Sequence, residues 1–395
     1  MKTPFKLMIA AVFFASCQKE NISTQQPAKS DAVSEAMIME NGNNPDENML
    51  SNTSKTLWQQ GYVYIESNDA TANSIIAYKQ AADGKLSWSS TTTSGGKGSG
   101  TGLGSEGAIA INANHTWLVA VNAGSNSVSS FKIKNDGTLE LKGTANSGGT
   151  LPISVCINKN LVFVVNSTSA NICGLNLGWD GSLSKINGSN ASLSNASAGP
   201  AQISFNPWGN GLLVTEKTTN KISAFAINAN GSVTDANYNN SVGQTPFGFA
   251  LARDRFMIVS NAIGGAANES SCSSYKNLNL YPVAVNGTVA NNQSAVCWVT
   301  SAKYGRYAFV ANTGSNTLNA YYVSESGAIY FIPWTVTDAG SKPADLIVSA
   351  NNLFVYNVNS GDHTITEFRR SFLGRLEPIG KISSIPDFAA GIACF

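Results

Sequence analysis

The chain contains two histidines in 395 residues, His115 and His363, far apart and in separate turn sequences. That scarcity excludes a Ser-His-Asp triad or a histidine-based zinc cluster, so neither a metal nor a cofactor is expected. Charge is sparse too, with 12% Asp, Glu, Lys and Arg and a formal net charge of +1, which leaves no electrostatic footprint for nucleic acid. The six cysteines are widely spaced and form no Cys-x-x-Cys pair. With Cys17 set aside, Cys156, Cys173, Cys272, Cys297 and Cys394 are odd in number and cannot all pair. They read as small buried hydrophobes, with a disulfide or a reactive thiol as the alternative. The apolar run at residues 7–15 is too short to span a bilayer.

What the first residues do have is the order of a secretory signal. Lys2 and Lys6 precede the apolar run, and small Ser16 follows it. The segment Phe13-Phe14-Ala15-Ser16-Cys17 resembles a bacterial lipobox, which implies a lipoprotein signal peptide over residues 1–16 and acylation of Cys17. Ordinary cleavage nearby, giving a secreted protein, is the alternative. A lipidated chain is tethered to the membrane and not threaded through it, which predicts the bacterial cell envelope, at the outer membrane or facing the periplasm. Removing Lys2 and Lys6 from 25 basic residues leaves 23 against 24 acidic ones. Residues 17–56 are polar, with few aromatic or branched side chains to offset ordering entropy, and read as a disordered stalk. Residues 57–395 remain for a folded domain.

That domain repeats. Seven segments, beginning near residues 62, 117, 161, 212, 256, 307 and 353, each hold two apolar runs separated by a polar turn and close on a Gly-bearing hairpin such as Asp-Gly or Asn-Gly. A further short apolar segment precedes six of them (107–112, 153–158, 201–206, 247–252, 296–301, 344–349). The first copy lacks one, and the missing segment stands at the C-terminus, AAGIACF at 389–395. Four strands per unit predict an all-β, seven-bladed β-propeller whose first blade is closed by the C-terminal strand. A pair of β-sandwiches or a β-helix is the alternative, and neither explains the displaced strand.

In such a ring the loops leading into the inner strands share one face with the turns after the second strands. The expected rim collects Asn68, Asn122, Asn166, Glu216, Asn261, Asn312 and Asn357 from those turns, and Glu106, Pro152, Gln202, Phe247, Trp298 and Asp345 from the loops. The asparagines are explained by turn formation. Glu216 stands out as an acid in an asparagine position, either paired with Lys217 or Lys221 or acting as an acid or base. The stretch GGKGSGTGLGSEG (95–107) leads into a strand and not a helix, so it is read as a loop able to cover the channel and not as a phosphate cradle.

The segments VYIESND, GLGSEGAIA, VNAGSNSVSSF, GPAQISF, VTEKTTNKISAF, TPFGFA, VCWV and VANTGSNTL together resemble the bacterial lactonase-like propellers, relatives of 3-carboxymuconate cyclase and 6-phosphogluconolactonase. The resemblance covers nearly all of 60–395 and implies seven blades. It also implies a Glu, His and Arg cluster at the channel, of which this chain matches the glutamate at Glu216. Where the family has Pro-Arg-His this chain has Pro200-Ala201-Gln202, and where it has Ser-Asn-Arg this chain has Ser260-Asn261-Ala262.

The expected function is therefore binding of a small or sugar-derived ligand at the channel mouth by a monomer, with lactone hydrolysis or cycloisomerisation left open. Glu216 is the catalytic candidate. Gln202, Trp298, Phe247, Glu106, Asp345 and Lys217 are the ligand-binding ones. A non-catalytic envelope propeller that binds protein or glycan is the alternative.

Overall fold

The computed structural model describes residues 61–302 and 305–395; the segments expected to form a signal peptide and a stalk, with Cys17, lie outside the described residues. Seven antiparallel sheets form, six of four strands each and a third blade whose outer strand is broken into Leu183–Lys185 and Ala191–Ser192. Blade 4 is representative: Pro200–Phe205 is innermost, followed outward by Gly211–Glu216, Lys221–Ile227 and Val233–Asn240.

The C-terminal strand Ala390–Cys394 pairs with Gly61–Glu66, aligning Val63 with Cys394 and Ile65 with Ile392. Tyr62 and Phe395 exchange backbone hydrogen bonds of 3.0 and 3.1 Å. The displaced seventh inner strand thus closes the ring, and no sheet edge is left open at the joint.

The blades adhere through apolar wedges between neighbouring sheets. Phe163, Ile203 and Phe225 pack between blades 3 and 4, and Val63, Tyr356 and Ile392 between blades 7 and 1. The strands read as near-continuous apolar runs because both of their faces are covered. The hairpin glycines complete the joints. Gly84, at φ 92°, lies so close to Phe354 of blade 7 that a Cβ would sit 2.2 Å from its ring, and its carbonyl accepts Tyr356 Oη at 2.7 Å. Gly137 of blade 2 meets Tyr62 and Tyr64 of blade 1 in the same way.

The described cysteines are all free and four are buried. Burial pushes the Cys272 and Cys394 thiols up to about 12. They serve as small apolar side chains, not as nucleophiles.

Candidate functional site

The last residue of each second strand is buried: Glu66, Asn122, Asn166, Glu216, Asn261, Asn312 and Asn359. The rim predicted from sequence had Asn68 and Asn357 in two of these places. Asn68 instead follows the strand and holds the glycine-rich loop, accepting Ser99 N–H at 2.7 Å. Asn357 lies inside its strand, donating to Asn359 at 2.7 Å.

These end residues receive the side chains of the third strand. Asn122 Nδ2 donates to Ser127 and Ser129, Asn312 Nδ2 to Thr317 and Asn319, and Asn359 Nδ2 to Thr364 and Thr366. In blade 4 the same place is filled by an acceptor. The Glu216 carboxylate takes hydrogen bonds from Ser194 N–H at 3.1 Å, Thr219 Oγ1 at 2.6 Å, Ser223 Oγ at 2.5 Å and the Ser194 hydroxyl. All four donors belong to the third strand, the turn before it and the linker from blade 3. The expected rim acid therefore points away from the channel, with its lone pairs taken up. It is an acid because its neighbours are hydroxyls and an amide that donate.

The channel mouth is built by a different segment. Residues 103–107 of the glycine-rich loop descend between the inner strands and bond to them around the ring. Ser105 Oγ donates to the Ile153 carbonyl at 2.8 Å, Glu106 N–H to Ala201 at 3.1 Å, and Val155 N–H to the Gly107 carbonyl at 2.8 Å. From the opposite side Trp298 Nε1 donates to the Ser105 carbonyl at 2.9 Å, Val299 N–H to Glu106 Oε2 at 3.2 Å, and Gly107 N–H to Asp345 Oδ2 at 3.4 Å. Blades 3, 4, 6 and 7 thus all hold this plug. Blade 5 admits it through Gly248, where a Cβ would lie 1.7 Å from Glu106 Oε2 and 2.9 Å from the Cys297 carbonyl.

Around the plug stand most of the residues picked from sequence as ligand-binding. Lys217 Nζ donates to the Gly104 carbonyl at 2.5 Å and lies 4.8 Å above the Phe247 ring. Phe247 in turn meets the Trp298 ring edge-on at 5.0 Å. The Gln202 side-chain oxygen accepts Phe249 N–H at 2.5 Å. Glu106 and Asp345 are buried carboxyls close enough to repel each other. Burial first, then the Asp345 charge, raises Glu106 well above the ordinary carboxylate range, although the Val299 amide bond opposes this. Burial raises Asp345 to about 7 against amide bonds from Gly107, Leu346 and Ile392. Both carboxyls therefore hold a proton more tightly than exposed ones do.

Sequence reasoning did not single out Ser105, Gly107 and Gly248 as parts of the site. The glycine run signalled an unusual loop, but nothing in it specified descent into the channel. His363 lies in the turn between Phe354–Asn359 and Thr364–Arg370, with Asp387 3.7 Å away, and His115 stacks on Phe395 at the opposite face. No group of three metal-ligating side chains occurs among the described residues.

An all-β ring of seven blades around a plugged mouth defines the class of the molecule. The family described as "Lactonase, 7-bladed beta-propeller" matches residues 60–192 and 180–269, more than half of the chain, and the chain belongs to that family. Among solved structures, a Bacteroides fragilis protein provisionally assigned as a 6-phosphogluconolactonase superposes with TM-score 0.68 at 18% identity, covering 86% of this chain and 99% of its own. A second such protein, from Bacteroides uniformis, gives 0.68 at 16% identity over 86% and 100%. The periplasmic gluconolactonase PpgL of Pseudomonas aeruginosa gives 0.67 at 15% identity over 85% and 99%. At these identities the likeness is one of fold. A search of curated proteins gives no match.

Proposed function

We propose that the chain is an exported, lipid-anchored propeller that binds a small, acidic, sugar-derived ligand at its channel mouth. The observation that carries this reading is the cluster of Lys217, Phe247 and Trp298 around the plug backbone. It offers a cation for a carboxylate beside two rings for the apolar face of a sugar. Gln202 adds a polar side chain. Glu106 and Asp345 accept the Val299 and Gly107 amides at the same plug. The periplasmic gluconolactonase among the structural neighbours supports the choice of sugar acids and an envelope location.

Isothermal titration of the full chain with gluconate and with glucono-δ-lactone tests the reading. Binding should weaken at least about tenfold in Lys217→Met, the loss of roughly 1.4 kcal/mol. Equal affinity in both chains, or no binding of either compound, would count against it.

Turnover of a lactone is a second reading, favoured by two buried carboxyls at the plug, Glu106 and Asp345, whose pKa values burial raises. It predicts a hydrolysis rate with an inflection near neutral pH that disappears in Asp345→Asn. Glu216 carries no part of it, because its carboxylate is already saturated with donors.

A further inference from the structure

The two faces of the ring differ in what they expose. The face opposite the mouth carries the turns between first and second strands and the hairpins between third and fourth. Large apolar side chains stand at the tips of these turns. Trp179 is 94% exposed, Tyr281 65%, Trp208 56%, Leu373 43% and Phe372 36%. Their turns follow Asn171–Leu177, Ser271–Lys276, Pro200–Phe205 and Thr364–Arg370 respectively, the last bearing both Phe372 and Leu373. Neighbouring turns are linked: Asn206, two residues before Trp208, donates to the Leu278 carbonyl at 3.1 Å in the loop that presents Tyr281. Among the described residues, the turns and linkers of the mouth face expose Val242 and Phe388 but no tryptophan or tyrosine of this kind.

The chain also joins the ring on the aromatic face. Gly61 begins a strand that runs from this face toward the mouth, and its neighbour Tyr62 is bonded to the terminal residue Phe395. The His115 ring, in the first turn of blade 2, stacks on Phe395 at 5.2 Å. A tether preceding residue 61 would therefore meet the ring on this side.

We infer that the hairpin face, through Trp179, Trp208, Tyr281, Phe372 and Leu373, lies against the lipid surface, so that the plugged mouth looks away from the membrane. Indole and phenol rings are amphipathic and settle at the boundary between headgroups and acyl chains. Exposed apolar tips lose water there without any rearrangement of the blades. A tether alone fixes distance but not orientation. The aromatic tips supply the second contact that fixes which face is down. The inference rests on the lipid-anchor reading for its tether.

Reconstitution of the full chain, carrying its own membrane attachment, into phosphatidylcholine vesicles with brominated acyl chains provides the test. Flotation reports attachment, and bromine quenching of tryptophan fluorescence reports contact. We expect the wild-type chain to float and to be quenched. Trp179→Ser/Trp208→Ser should float but lose at least half of the quenching, whereas Trp334→Ser, midway along the outer strand Ile329–Asp338 of blade 6, should lose none. Flotation without quenching, or equal quenching in all three chains, would overturn the inference and leave the anchor intact. A chain that does not float removes both. A dimer in sedimentation that dissociates in Trp179→Ser/Trp208→Ser would assign the face to a second copy and overturn the lipid contact.

Discussion

At the end of every second strand a buried side chain has to satisfy the polar groups of the third strand and of the incoming linker, because no water reaches them. Five blades use asparagine, which both donates and accepts, and blades 1 and 4 use Glu66 and Glu216. The two acids differ in their surroundings. Glu216 has four donors, whereas Glu66 has one, Asn73 Nδ2 at 2.6 Å, and its Oε2 has no partner. Burial raises Glu66 well above the usual carboxylate range, and the Asn73 bond offsets this in part. Glu216→Gln replaces an acceptor with an amide that meets donors, and should cost about 1–3 kcal/mol. Chemical denaturation should show that loss while gluconate binding is unchanged. An unaltered midpoint together with lost binding or turnover would return Glu216 to the site. The sequence shows that Glu216 breaks an asparagine pattern. It does not show which way the side chain points, because that depends on Ser194, from the preceding blade, and Ser223, seven residues on.

At the scale of elements, the repeat was legible because the apolar runs and the Gly-bearing hairpins that end them are local signals, and so was the displaced inner strand at 389–395. That count places 389–395 beside the first blade; the pairing of Val63 with Cys394 comes from the structure. Deleting residues 389–395 removes Ile392 and Phe395 from the wedges, along with a ladder of backbone bonds, a loss on the order of 5 kcal/mol. The melting temperature should fall by about 7 °C, and an unchanged value would contradict ring closure. The plug was not legible. Its seven glycines between 95 and 107 announce a loop free of side-chain constraint. Its course is set by groups on five other blades, among them Gly248, whose missing Cβ makes room for Glu106. No local pattern carries contacts that far apart along the chain.

For the whole molecule, the buried carboxyls give stability a pH dependence opposite to that of an ordinary ion-paired protein. Glu66, Glu106 and Asp345 bind protons more tightly folded than unfolded. Their contribution is complete below the ordinary carboxylate pKa of about 4 and is lost as pH rises through the folded values, about 7 for Asp345. Thermal melts should therefore show a higher midpoint at pH 5 than at pH 8, and Glu106→Gln/Asp345→Asn should flatten that difference. A midpoint that rises toward pH 8 would mean that the pair is not enclosed. The placement of Lys217, Trp298 and Phe247 at the mouth, and the enclosure of the carboxyl pair, both depend on residues 103–107 filling the channel. Hydrogen exchange at the backbone amides of the intact chain reads that directly. The account predicts that Glu106 and Gly107, bonded to Ala201 and Asp345, exchange as slowly as the inner strands while exposed Gly102 exchanges at once; equally fast exchange at all three would contradict it.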